Sequence, residues 1–182
     1  GAVLWFTGLP GAGKSTLARA LERRLFQRGG SPVLLDGDTL RAGLNGDLGF
    51  SPGDRAENIR RLAEIATHLA RNGHIAIVAA VSPAAEDRAV ARRIAEETFR
   101  EIYIATPAAI CEARDPKGHY AKARAGNLNG FTGIANTYEA PASSELTIDT
   151  SARSVADATD DIERMLTRSG VLADTVANLA AS

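Results

Sequence analysis

Unbroken apolar runs alternate with stretches in which apolar residues recur every three or four positions. VLWFT (3–7), PVLLD (32–36), HIAIVAAV (74–81), EIYIA (101–105) and ELTID (145–149) read as strands. Their continuous apolar character predicts burial on both faces, as in a parallel sheet. Between them the period lengthens. Leu17, Leu21 and Leu25 stand four apart after the first strand, and Ile59, Leu62, Ala66 and Leu69 form one stripe in a helix predicted over 52–72. Asn72 and Gly73 supply a stop that tolerates left-handed backbone. Further helices are predicted from Pro83, over about 108–114 and over about 154–168, and the tail 171–182 reads as a last amphipathic helix or a frayed end. Strand and helix in alternation predict an α/β fold with a mostly parallel five-stranded sheet.

Residues 115–140 break the pattern. They carry four glycines, several cations and little apolar periodicity, so they are expected to form a long mobile loop rather than a core element. No internal repeat or low-complexity linker interrupts the 182 residues, which suit one domain.

Composition changes this picture little. Apolar residues make up 45% and charged residues 24%, and the net charge of −1 gives no footprint for nucleic acid or a membrane surface. Cations are mostly arginine, the three lysines being Lys14, Lys117 and Lys122. The one cysteine, Cys111, cannot form an internal disulfide, which fits a reducing, cytoplasmic setting. No apolar run approaches the ~20 residues that span a bilayer, and no signal peptide is expected ahead of the first strand. So abrupt a start reads either as a trimmed chain or as a domain cut from a longer polypeptide.

The chemistry begins at GLPGAGKST (8–16). Gly8, Gly13, Lys14 and Ser15 fit G-x-x-x-x-G-K-[ST], placed between a strand and a helix as a P-loop requires. Gly8, Gly11, Ala12 and Gly13 would turn backbone N–H groups toward phosphate oxygens, and the helix start of Lys14, Ser15 and Thr16 adds a positive dipole end. Lys14 would reach the β- and γ-phosphates of ATP, and Ser15 would ligate Mg²⁺. The third strand ends without the acid that many P-loop proteins place there. Magnesium would therefore rest on Ser15, the nucleotide and water, with help from Asp36 or Asp38. That disfavours a motor or switch-type hydrolase and leaves a small-molecule kinase.

In a doubly wound sheet, ligands collect at the carboxyl ends of the strands. Asp36 ends the second strand, so Asp36 and Asp38 are expected beside the cradle, where a carboxylate can accept or orient the proton of an attacking hydroxyl. Asp38 is equally suited to cap a short helix over 39–44. Arg41 and Arg55 are fork-shaped cations matched to phosphate or sulfate, although exposed helical arginines are commonly just solvated.

DGDTLRAGLNGDLGFSPGDRAENIRR (36–61), DPKGHYAKARAGNLNGFTGI (115–134) and YEAP (138–141) closely resemble the adenylylsulfate kinases. The resemblance runs from the cradle through LTIDT (146–150) and implies a P-loop, three-layer kinase fold with a mobile lid at about 115–140. Such kinases phosphorylate the 3′-hydroxyl of adenosine 5′-phosphosulfate with ATP. By this resemblance Asp36, Gly37 and Asp38 lie near the ribose. Arg41, Arg55 and Asn58 grip the phosphosulfate and adenosine, and Phe50 and Phe131 sandwich the adenine. Val81, Ser82 and Gly130 line the acceptor, and Lys117 closes with the lid on Gly118, Gly126, Gly130 and Gly133. Arg114 stacks on the ATP adenine and Arg153 sits near it. The serine of the Ser82-Pro83 pair has been described in relatives as a phosphorylated intermediate. The same pair is also an ordinary cap and first residue for the next helix, so both capping and substrate contact are expected of Ser82. The resemblance further implies a homodimer and a possible fusion or association with ATP sulfurylase.

The chain departs from the family pattern at Ala84 and Ala85 in place of Tyr-Arg, and at Thr39, His119 and Ala135. Two rivals follow. One is a kinase of the same fold for another nucleotide or small anionic alcohol. The other is a nucleotide-binding module without turnover, fused to a sulfate-activating partner. His68, His74 and His119 show no metal-ligand spacing with Cys111, and Trp5 reads as core.

Overall fold

A computed structural model describes residues 1–128 and 130–173. Five parallel strands, β1 (Ala2–Thr7), β2 (Pro32–Asp36), β3 (Ile75–Ala79), β4 (Phe99–Ile104) and β5 (Leu146–Ile148), lie in the order β2-β3-β1-β4-β5. The α/β reading and the parallel sheet are borne out. Helices cover both faces: α1 (Lys14–Gln27), α2 (Gly37–Arg41), α3 (Pro52–Arg71), α4 (Ala85–Ala95), α5 (Ala108–Arg114), α6 (His119–Arg124) and α7 (Val155–Arg168).

The parity of β1 builds two cores. Ala2, Leu4 and Phe6 point into one with Leu17, Leu21 and Leu25 of α1 and Ile162 and Leu166 of α7. Val3 and Trp5 point into the other with Ile59, Leu62 and Ala66 of α3 and Ala91 of α4. Both predicted helical stripes therefore face the sheet, and Trp5 is fully buried. Asn72 and Gly73 end α3 as expected, Gly73 at φ +87°.

Three expectations need correction. The helix predicted from Pro83 starts at Ala85, and Ser82 does not cap it. Ser82 is turned inward at φ +40° because Trp5 Nε1 and Thr7, both buried, need a partner there. The open end of α4 is met instead by Glu139, whose carboxylate accepts the Ala85 N–H at 2.7 Å. Second, residues 115–140 are not a structureless loop. They contain α6 and send Tyr120 and Phe131 into the first core, with Leu128 and Ile134 packed against it. Third, Asp36 rather than Asp38 caps α2, accepting the N–H groups of Asp38 and Thr39 at 3.0 and 3.4 Å. Val171 and Leu172 pack on the first core, and the rest of the expected tail helix, from residue 174, lies outside the described residues. Among the described residues no helix is long and apolar enough to cross a membrane.

Candidate active site

The connection from β1 to α1 crosses the carboxyl edge of the sheet beside the reversal in strand order, between β3 on one side of β1 and β4 on the other. Its glycines are demanded by close approach. A Cβ on Gly8, at φ +146°, would stand 2.5 Å from the Ile104 carbonyl oxygen, and one on Gly11 would stand 2.6 Å from that of Cys111. The Ala12 carbonyl accepts the hydroxyls of Thr106 and Thr150 at 3.0 and 2.8 Å. Arg114 of α5 in turn donates to the Thr150 hydroxyl and carbonyl at 2.7 and 3.0 Å. The far side of the cradle is thereby tied to the ends of β4 and β5.

Lys14 folds back over the cradle, with Nζ donating to the Gly8 and Leu9 carbonyls at 2.8 Å each. Burial brings its pKa down to about 8, against the weaker pull of Cys111, Asp38 and Asp36 in the other direction. Ser15 Oγ donates to Asp36 Oδ2 at 2.8 Å. Two hard oxygen donors thus stand together at the start of α1.

A cleft of about 770 Å³ opens in front of these groups. Gly11, Gly13, Lys14, Ser15 and Thr16 form one wall; Arg114, Thr150 and Arg153 close one end. Asp38, Phe50, Arg55, Val81, Lys117, Gly130 and Phe131 line the rest. Residues from five separate stretches of sequence therefore meet in one space. Asp38 is exposed there and ion-paired with Lys117, which bridges the cleft from the 115–134 segment. Arg55 donates to Phe50 O at 2.9 Å, to Gly130 O at 2.7 Å and to Thr132 Oγ1 at 3.1 Å. It ties together the chain segments that carry the two expected aromatic walls. Phe50 is 65% exposed with the Arg41 guanidinium 4.5 Å from its ring centre, whereas Phe131 is buried.

Four expected residues lie behind the cleft wall. Arg41 donates to the Leu48 and Gly49 carbonyls and so shapes the loop that carries Phe50. Asn58 is buried, with Oδ1 accepting Asn45 Nδ2 at 3.0 Å. Asp36 reaches the site through Ser15. Ser82 is 2% exposed: it accepts the Trp5 indole N–H at 3.1 Å and donates to Thr7 Oγ1 at 2.9 Å. Arg153 is on the wall but also pairs with Asp161 at 2.7 Å.

Sequence reasoning did not single out Thr7, Thr106, Thr150, Tyr120, Thr132 or Arg88. A signal existed for three of them. Thr7 ends β1, and Thr106 and Thr150 closely follow β4 and β5, so each is a polar residue at the carboxyl end of an apolar run, where ligands collect.

The family model for adenylylsulphate kinase matches residues 1–149. An adenylyl-sulfate kinase of Shewanella sp. (strain ANA-3) is 52% identical over 171 residues, covering 93% of this chain and 83% of that protein. The APS kinase of Mycobacterium tuberculosis, solved in complex with AMPPNP and APS, superposes with a TM-score of 0.89 at 48% identity, over 91% of this chain and 97% of that one. A hexameric APS kinase from Thiobacillus denitrificans superposes with a TM-score of 0.71 at 35% identity, over 93% of this chain and 29% of that longer one. These matches extend along most of the chain's length, and the chain belongs to the adenylylsulphate kinase family.

Proposed function

We propose that this chain transfers the γ-phosphoryl group of ATP to the 3′-hydroxyl of adenosine 5′-phosphosulfate, giving 3′-phosphoadenosine 5′-phosphosulfate and ADP. The observation that carries the reading is the one cleft lined by Gly11, Gly13, Lys14, Ser15 and Thr16 and also by Asp38, Phe50, Arg55, Lys117 and Phe131. Donor phosphates and an anionic, adenine-bearing alcohol both find matching chemistry there.

In this scheme the cradle N–H groups and Lys14 hold the β- and γ-phosphates, and Lys14 leaves the Gly8 and Leu9 carbonyls to do so. Arg114 and Arg153 flank the donor base. The acceptor adenine lies between Phe50 and Phe131, with Arg55 beneath both rings and Val81 at the floor. The two acids divide the work. Asp36 is committed to the α2 cap and to Ser15, while Asp38 faces the cleft. Asp38 therefore takes or orients the hydroxyl proton, and Lys117 leaves it for the phosphate oxygens as the reaction complex forms.

Ser15 and Asp36 fit Mg²⁺. They offer two oxygens 2.8 Å apart, and among the described residues no cluster of three acids, histidines or cysteines provides an all-protein cage. Mg²⁺ ordinarily binds through one or two protein oxygens, with phosphates and water completing its shell. When bound, it would neutralise charge developing on the transferred phosphoryl group.

Ser82 supports the scheme from behind. Its hydroxyl is occupied by Trp5 and Thr7, so phosphate passes directly from donor to acceptor, which positioning and charge neutralisation suffice to accelerate. A cytoplasmic setting agrees with a single thiol that is buried and in no disulfide.

The test is acceptor dependence. ADP release should be fast with adenosine 5′-phosphosulfate and slow with AMP or other nucleotides, and Lys14→Ala should lower it by about two orders of magnitude or more. Equal rates with AMP would move the activity to another substrate, and full turnover by Lys14→Ala would refute the cradle.

A further inference from the structure

Tyr120 is tied to both halves of the cleft. Its side chain is 2% exposed. The hydroxyl donates to the Pro10 carbonyl at 3.0 Å, inside the phosphate cradle between Gly8 and Lys14. The ring meets Phe131 edge-on, with centroids 4.9 Å apart and planes at 83°. Asp115 fixes the backbone beneath it, accepting the Tyr120 and Ala121 N–H groups at 3.1 and 3.0 Å. Gly133, at φ +97°, leaves room for the hydroxyl: a Cβ there would stand 3.3 Å from both Tyr120 Oη and Leu9 Cδ2. Burial pushes the phenol up to about 12, so it stays a neutral donor throughout the working range.

Each contact has a consequence. In a trans peptide the C=O and N–H point opposite ways. Holding the Pro10 oxygen therefore also fixes the direction of the Gly11 N–H, and Gly11 lines the cleft. Phe131 has Tyr120 behind it, while its neighbours Gly130 and Thr132 are held by Arg55. A shift of the cradle peptide on nucleotide binding would move the phenol, and the phenol cannot move without disturbing the ring that faces the acceptor base. Buried edge-to-face aromatic packing transmits such a shift because interiors are close-packed.

We propose that Tyr120 is a positioning residue that couples the donor cradle to the acceptor ring. Occupancy of the cradle then changes how well Phe131 is placed, and the Pro10–Tyr120–Phe131 path carries that effect. The inference rests on the reading of the cleft given under the proposed function.

Two variants separate the contacts. Tyr120→Phe removes only the hydroxyl, and Tyr120→Leu removes the ring contact as well. The affinity for adenosine 5′-phosphosulfate is measured by calorimetry with and without a saturating non-hydrolysable ATP analogue, beside steady-state kcat and KM and the melting temperature. In the unmodified protein the analogue should change acceptor affinity by about fivefold or more. In Tyr120→Phe the affinity without analogue should stay within about twofold, the effect of the analogue should shrink at least about threefold, and KM for ATP should rise more than kcat falls. Tyr120→Leu should also lose acceptor affinity in the absence of analogue. An unchanged analogue effect in Tyr120→Phe overturns the coupling, as does the absence of any such effect in the unmodified protein. A lower kcat and melting temperature with both KM values unchanged would make Tyr120 merely structural and overturn it too. If the unmodified protein binds no adenosine 5′-phosphosulfate at all, the functional reading falls with it; binding of both ligands with an unaltered ratio sinks only the role of Tyr120.

Discussion

Lys14 shows how burial sets the chemistry of one side chain. Its ammonium is held by two carbonyls and its pKa is drawn down to about 8 by burial. Bound phosphates would favour the charged form, so the pKa in the complex is higher than in the free protein. Binding therefore takes up a proton above that point. Nucleotide affinity should be flat below about pH 8 and fall above it by up to about tenfold per unit. Calorimetry in buffers of differing ionisation enthalpy should register proton uptake at about pH 9 and almost none at about pH 7. Affinity that rises through this range would contradict the assignment. Ser82 makes the opposite case, since its hydroxyl is spent on structure. Ser82→Ala strands the Trp5 indole N–H in the core and should cost about 1–3 kcal/mol of stability, read by denaturant unfolding. Incubation of the unmodified protein with ATP alone should yield no phosphoserine by mass spectrometry. Stoichiometric phosphate on Ser82 would reverse this account. At this scale the sequence was legible where a residue works beside its neighbours in the chain, as Gly13, Lys14 and Ser15 do. It misled on the capping role of Ser82, because the residues that claim its hydroxyl are 77 and 75 positions away.

Among elements, the instructive case is the segment after α5. Glycines and cations made it look like a bare loop, yet α6 forms within it, and Tyr120 of α6 and Phe131 beyond it both enter the core. Two isolated aromatic residues with Gly126 and Gly130 between them make no run of apolar positions, so no periodic signal marks their burial. The start of α4 was misread for a related reason: Glu139, 54 positions away, supplies the group that meets its first N–H. Arg88 of α4 binds these pieces together. It donates to the Ser82 carbonyl at 2.7 Å and the Glu139 carbonyl at 2.6 Å, and pairs with Glu101 of β4 at 2.9 Å, with both side chains buried. Arg88→Ala leaves the Glu101 carboxylate without its buried partner and should lower stability by about 3–5 kcal/mol. Urea denaturation checks this, and a loss below about 1 kcal/mol would mean that solvent or Arg92 compensates.

On the scale of the molecule, the strand order does most to place the site. Parallel strands put the ends of β1, β2, β4 and β5 along one edge, so Thr7, Asp36, Thr106 and Thr150 converge although they are spread over 144 positions. Alternation of strands and helices was enough to anticipate that edge, and the motifs were enough to anticipate the family. Which of Asp36 and Asp38 caps α2 was not legible, because it depends on which carboxylate the backbone of α2 engages. The central claim is that donor and acceptor face each other across this one cleft. A crystal structure of the protein with a non-hydrolysable ATP analogue and adenosine 5′-phosphosulfate tests it most directly. The account predicts the acceptor adenine between Phe50 and Phe131, with its 3′-hydroxyl beside Asp38 and directed at the terminal phosphate over Lys14. A sulfonucleotide bound away from those rings, or with its ribose turned from the triphosphate, would contradict it.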